Sequence, residues 1–358
     1  MRAQGTSNSH QSGGATVIDE RNPSDANLLK ALRADPEIHV TDLYDPQRTA
    51  LSQLIPPPDE ELLGEPTRWV YYPWRRAVLR IVGPRSFRHI RLDRNRNKIT
   101  QQEQNHFASL KVGVMGLSVG HVIAHTLALE GLCGELRLAD FDEIELPNLN
   151  RIPGTLFDLG CNKAVAAARR ISEIDPYLTL TVIEEGFTDD TMEEFLEGLD
   201  IVIEECDSMS AKVKVRIAAR KRGIPVIMET NDRGLLDIER FDLEPDRPIF
   251  HGLLGDIQPG DVEELTAAET VAQFAKLADI TQISPRLRES VPVIGTAITG
   301  IPQLGSDTLL GGVTVAAAVR RIGMGEPLPS GRIRMDVWGL LDKTLDPASQ
   351  VNGHAAAR

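Results

Sequence analysis

From Lys111 to Met228 the chain alternates short apolar runs with longer stretches in which apolar residues recur every third or fourth position. The runs Val112 to Met115, Leu136 to Ala139, Leu178 to Ile183, Ile201 to Ile203 and Pro225 to Met228 have the length of buried strands. Between them, Val119, Val122, Ile123 and Leu127 share one helical face, as do Ala164, Ala167, Ala168 and Ile171 within 162–174. Residues 188–199, with acids in the first turns where the helix dipole favours them, and 208–222 also read as helices. Such alternation predicts an α/β fold, an open and mainly parallel sheet with helices on both faces. Beyond Asn231 the pattern loosens, with a strand expected over 249–254, a helix over 263–277, a late apolar helix over 309–322 and a last strand over 332–338.

Upstream, 26–33 reads as a short helix, Pro56-Pro57-Pro58 as a stiff break, and 67–98 as two strand-like runs and a basic arm. Residues 1–25, rich in Ser, Gly, Asn and Gln, and the tail from Asp346 are expected to be loose. The organisation expected is a partly disordered N-terminal extension (1–66), a basic hairpin or arm (67–104), a large α/β unit (105–342) and a loose tail (343–358).

The most informative stretch runs from Lys111 to Arg151, KVGVMGLSVGHVIAHTLALEGLCGELRLADFDEIELPNLNR. A strand leads into the turn Gly116-Leu-Ser118-Val-Gly120, then a helix, then a second strand ended by Asp140, twenty residues after Gly120. That order defines the first half of a Rossmann unit. Free amides at the helix start attract phosphate, glycine allows close approach, and the carboxylate after the second strand suits ribose hydroxyls. The glycine signal is thin, because Met115 and Leu117 stand where a full GxGxxG has glycines. Further polar groups sharpen it: Asp140-Phe-Asp142, Asn148-Leu-Asn-Arg151, Gly160-Cys-Asn-Lys163 and Glu205-Cys-Asp207 all follow strands or sit in loops there, where open parallel sheets collect ligands.

At these residues the chain resembles the ThiF/MoeB family, the adenylating relatives of ubiquitin-activating enzymes, over about Arg91 to Gly234 and more loosely to about residue 340. The resemblance implies ATP and Mg2+ as cofactors and adenylation of a carboxylate, with the C-terminus of a small ubiquitin-like or sulfur-carrier protein as candidate substrate. Position by position, it implies that Asp140 of the Asp140/Asp142 pair holds the ribose, and that Asn148, Arg151 and Lys163 hold the phosphates. Asp207 is implied to meet magnesium and the reacting α-phosphate. It implies a homodimer as well, in which an arginine before the first strand reaches the partner's ATP site; Arg94 and Arg96 both qualify. Ser208 departs from the family's usual asparagine. No cysteine follows Cys206, so the thioester or persulfide relay of some relatives has no residue here, and adenylation without a covalent relay is expected.

Composition narrows the rest. A net charge of −13 argues against generic nucleic-acid binding. Residues 68–98 nonetheless carry ten Lys/Arg against Asp93 alone, +9 locally and −22 elsewhere. Trp69, Tyr71, Tyr72 and Trp74 among those arginines allow a single-stranded nucleic-acid platform, but a packed hairpin with outward arginines explains them as well. Three cysteines without a CxxC exclude a disulfide framework and a four-cysteine zinc site. No apolar run approaches the roughly 18–20 residues of a membrane span, and the N-terminus lacks the apolar core of a signal peptide. A cytoplasmic protein is expected.

Other readings compete. Gly116-Leu-Ser118-Val-Gly120 spells the GxSxG of a hydrolase elbow, yet it opens the sheet instead of following several strands. A dinucleotide oxidoreductase explains the turn and Asp140 but not a convergent Arg151, Lys163 and Asp207. A non-catalytic nucleotide-binding scaffold or partner subunit fits the thinned glycine turn and the missing cysteine. Asp140 and Asp207 could also serve as helix or turn caps. His121 and His125 lie at metal-like spacing without an evident third ligand. Cys133 and Cys206 read as core thiols, whereas Cys161, beside Lys163, could have a lowered pKa.

Overall fold

The apolar runs of the central region pair side by side. In the computed structural model, which describes residues 13–343, they form a seven-stranded sheet ordered β11-β10-β9-β8-β5-β6-β7. Its strands are β5 (Lys111–Met115), β6 (Glu135–Ala139), β7 (Thr179–Ile183), β8 (Ile201–Glu204), β9 (Val226–Thr230), β10 (Leu235–Glu239) and β11 (Gly331–Arg334). β7, β6, β5, β8 and β9 are parallel neighbours, while β10 and β11 each run antiparallel to the strand before them in the sheet. Alternate residues face opposite layers, so Ile201 and Ile203 join one core with Ile123, Leu127, Ala167, Ile171 and Val315. Val202 joins the other with Phe195, Val213, Ala219 and Phe241. This is the expected Rossmann-like sheet covered on both faces.

A second sheet lies upstream, ordered β1-β3-β4-β2, with β1 (Thr16–Ile18), β2 (His39–Asp42), β3 (Arg68–Tyr72) and β4 (Ala77–Ile81). β1 lies within the stretch expected to be loose; it is a strand because Ile18 is fully buried beside Trp69 and Val78. The end of that stretch is ordered too, since Asn22 caps a helix over Pro23–Ala34, while residues 1–12 and the tail from Asp346 lie outside the described residues. The basic arm includes a helix, Pro84–Arg91, with proline at its first position. Its charge goes to acids elsewhere in the chain: Arg68 pairs with Asp19, Arg75 with Glu173, Arg80 with Asp42 and Arg91 with Asp175. The Trp74 indole also donates to Glu173, and the Tyr177 hydroxyl donates to the Val82 carbonyl, fastening the two sheets together.

Four expected elements differ. The helix over 188–199 is reduced to Met192–Leu196. The one over 263–277 is two, Pro259–Glu264 and Ala267–Ala278, because Thr266 starts a new helix with a capping box to Glu269. The strand over 332–338 stops at Arg334, and Val337–Leu341 is helical. The strand over 249–254 is a 3-10 turn, Ile249–Gly252, in which Phe250 and His251 both take left-handed φ. Buried charges account for that turn. The Phe250 amide donates to Glu239 at 2.6 Å, its ring lies 4.2 Å from the Arg216 guanidinium, and His251 Nε2 meets Asp237 at 2.8 Å. No helix among the described residues is long and apolar enough to cross a membrane.

Candidate functional site

The chain order reverses between β5 and β8, and the crevice beyond their carboxyl ends is where open α/β sheets bind ligands. Gly116 turns there with φ of +84°. A Cβ at Gly116 would stand 2.5 Å from the Glu205 carbonyl, so the turn presses directly on the loop after β8. Gly116→Ala should therefore displace that loop and destabilise the fold by about 1–3 kcal/mol. Thermal melting checks this, and an unchanged melting temperature would show that the turn relaxes freely. Gly120 opens the Gly120–Glu130 helix, whose first turn has no side-chain cap and no acid. Ser118, half-buried, lies in the turn without capping that helix.

Asp140 clamps this turn. Its carboxylate accepts the Leu117 amide at 2.5 Å and the Asp142 amide at 2.8 Å. Burial pushes its pKa up, against the pull of those two amides and of Lys163. Lys163, the first residue of the Lys163–Ile174 helix, is buried, and its Nζ lies 2.7 Å from Asp142. Its amide donates to the Asp142 carbonyl. Asn162, placed by the sequence at the helix start but given no role of its own, caps this helix and donates to the Asp140 carbonyl at 2.8 Å. An Asn directly before a helical pattern was the available signal.

Asn148 and Arg151 stand on the 3-10 turn Leu146–Asn150 and the residue after it. Asn148 Oδ1 accepts the Glu145 amide at 2.9 Å. Arg151 reaches Asn150 Oδ1 at 3.0 Å, while its buried Nε has no partner among the described residues. Burial lowers its pKa and the nearby Asp207 opposes that shift, which puts the two side chains within electrostatic reach. Thr308, in the Gly305–Gly323 helix, supports the loop by donating to the Arg151 carbonyl. Asp207 is exposed in the loop after β8. Ser208, not Asp207, caps the Met209–Arg222 helix, which leaves the Asp207 carboxylate without that duty.

Arg94 and Arg96 are elsewhere in the chain. Asn95 between them donates to the Glu130 carbonyl, at the end of the Gly120–Glu130 helix away from the glycine turn, about 16 Å along its axis. Arg96 is held by Asp93 at 2.9 Å and the Ile55 carbonyl at 2.5 Å. Arg94 is exposed and makes no hydrogen bond or ion pair among the described residues. A cavity of about 290 Å³ lined by Asp59, Arg85, Arg88 and Arg96 lies in this region, apart from the crevice.

The cysteines are not activated. Burial pushes Cys133 up to about 12, and burial also raises Cys206 and, against Arg169, Cys161; the expectation of a lowered Cys161 pKa is thus corrected. His121 is buried and pushed down to about 3 by burial, with His125 adding to the shift. Among the described residues no group of three His, Cys, Asp or Glu side chains could hold a metal.

Two buried carboxyl groups lie near the turn: Glu205, which the sequence reading named only as part of Glu205-Cys-Asp207, and Glu229, which it did not name. Glu205 Oε1 accepts the Glu229 amide at 2.9 Å, and neither Glu229 side-chain oxygen has a partner among the described residues. Burial pushes Glu229 up to about 8, with Asp307 adding to the shift. An acid whose folded pKa exceeds its unfolded value holds extra protons when folded, so stability falls as pH rises from about 4.5 to about 8. Glu229→Gln should flatten that fall, as melting curves across the interval would show; parallel profiles for the two proteins would assign it to other groups.

Sheet order, glycine turn and clamped carboxylate define a nucleotide-binding α/β unit. The ThiF family profile matches residues 92–321, and the chain belongs to that family. It is 50% identical over 347 residues to an uncharacterised protein of Mycobacterium tuberculosis, MT1398, covering 96% of this chain and 48% of that one. It is 31% identical over 135 residues to the tRNA threonylcarbamoyladenosine dehydratase of Bacillus subtilis, covering 37% of this chain and 53% of the relative. Against the sulfur carrier protein ThiS adenylyltransferase of Escherichia coli the figures are 29% over 119 residues, 33% of this chain and 46% of the relative. The chain thus spans about half the length of the curated relatives it matches. Among solved structures, the E. coli tRNA N6-threonylcarbamoyladenosine dehydratase aligns with a TM-score of 0.47 at 20% identity, covering 66% of this chain and 95% of that one.

Proposed function

We propose that this chain is an ATP-dependent adenylyltransferase that activates a carboxylate as an acyl-adenylate. The observation that carries this reading is the buried, unpartnered Arg151 Nε within electrostatic reach of Asp207. It adjoins a crevice that also holds Lys163 and an uncapped helix start. The glycine turn presents amides to the phosphates, and Lys163 and Arg151 neutralise charge as it develops on them. A substrate carboxylate oxygen attacks the α-phosphorus, the bond to the bridging oxygen of the β-phosphate breaks, and pyrophosphate leaves. Holding both reactants in line is most of the work asked of the protein.

ATP fits these residues: the start of the Gly120–Glu130 helix has no side-chain cap and offers its amides to phosphate, and the Arg151 Nε has no acceptor among the described residues. Magnesium fits Asp207 as its one protein ligand, with phosphates and water completing the shell as this ion usually requires. It supplies charge neutralisation when bound. The substrate proposed is the C-terminus of a small carrier protein, in keeping with relatives named for ThiS and for SAMP activation. A homodimer is proposed as well, in which Arg94, without a hydrogen bond or ion pair among the described residues, completes the neighbouring site in preference to the tethered Arg96. The absence of any cysteine after Cys206 supports adenylation without a covalent relay.

One observation favours a second reading, a nucleotide-binding scaffold: both Asp140 oxygens are occupied by backbone amides. Labelled pyrophosphate, ATP and magnesium, with carriers ending in Gly-Gly, separate the two. Label entering ATP with one carrier supports adenylation and identifies the substrate class. No exchange but magnesium-dependent ATP binding by calorimetry supports the scaffold.

A further inference from the structure

Asp207 depends on one buried side chain for its place. Glu204, the last residue of β8, is fully buried, and its Oε1 accepts the Cys206 amide at 2.8 Å, so it grips the loop one residue before Asp207. The grip is charged. Lys212 Nζ lies 3.0 Å from Oε1 and Arg216 lies 2.7 Å from Oε2, both projecting from the Met209–Arg222 helix. Burial opposes the charge, but Lys212 and Arg216 together hold the Glu204 carboxyl below the usual carboxylate range. Arg216 is fixed in turn by Glu239 at 2.5 Å, and Glu239 by the Phe250 amide at 2.6 Å. Glu204 itself has no exposed surface and cannot touch a ligand.

We propose that Glu204 is the positioning residue for Asp207: its hydrogen bond to the Cys206 amide sets the loop so that the Asp207 carboxylate faces Arg151 and the magnesium–nucleotide complex. The inference rests on the reading of Asp207 as a magnesium ligand. Its physical basis is that a ligand on a loop is only as well placed as the groups that orient it, and removing such a group typically weakens metal binding by about 10- to 100-fold. A hydrogen bond from an amide to an ionised acid is stronger than one between neutral groups, and the two cations on Glu204 fix the acceptor in place.

The test is a double-mutant cycle in the full chain, read by calorimetry as the gain in ATP affinity on adding magnesium. Asp207→Ala and Glu204→Gln should each remove that gain, and the double variant should lose no more than either alone. Affinity for AMP without magnesium should stay the same in Glu204→Gln, whose side chain touches no ligand. Glu239→Gln disturbs the same buried network without touching the Cys206 amide; it should lower the melting temperature yet keep the magnesium gain. Should Glu204→Gln fail to fold, Glu204→Asp keeps the charge with a shorter reach and should still lose the gain. Additive losses in the double variant, or a gain that survives in the Glu204 variant, would overturn the positioning role. A gain untouched by Asp207→Ala would overturn both it and the reading of Asp207.

Discussion

Lys163→Ala should lower ATP–pyrophosphate exchange by about 100- to 1,000-fold, the usual loss when one preorganised charge-stabilising donor is removed. The geometry gives the lysine no comparable structural duty. Its partner Asp142 keeps 52% of its side-chain surface exposed, so water solvates that carboxylate once the lysine is gone and no buried charge is orphaned. The variant should thus fold nearly as well as the parent and fail in chemistry. A lysine in the first turn of a helix opposes the dipole, and an anion in front of it supplies a reason for its presence. Arg151→Ala should show a similar loss, because its buried Nε has no acceptor among the described residues. Exchange rates and melting temperatures of both variants decide the matter, and exchange at parental rates in both would place the reaction elsewhere.

The largest effect on stability is expected at Arg216. Its side chain is fully buried between Glu204 and Glu239, and removing it leaves two carboxylates inside the protein without that partner. Breaking a buried ion pair from one side typically costs about 3–5 kcal/mol, because the charge left behind has lost its solvation and gained nothing. Arg216→Met keeps the volume and should show such a loss in urea unfolding. Arg216→Met combined with Glu239→Gln should recover part of it, since one orphaned charge is then neutral. A single-variant loss below about 1 kcal/mol would mean that Lys212 and local rearrangement carry the network without Arg216.

The family and the sheet were legible in the chain because their signals are local. Apolar runs of strand length, a glycine turn and an acid after the next strand require only neighbouring residues, and β5, β6, β8 and the helices Gly120–Glu130 and Lys163–Ile174 follow them closely. The candidate residues Asp140, Lys163, Arg151 and Asp207 could be singled out for the same reason, each standing at or near a strand or helix end. β1 and β10 and the left-handed turn at Phe250 were not, because they answer to partners far along the chain: Trp69 and Val78 for Ile18, β9 and β11 for β10, Glu239 and Arg216 for Phe250. Tertiary structure alone decided that Ser208 caps the helix and leaves Asp207 free, that Asp140 clamps the turn, and that Glu204, silent in a run of acids, grips the loop. Local sequence sets which backbone forms are cheap, but which carboxylate keeps its charge depends on the cations that folding places around it.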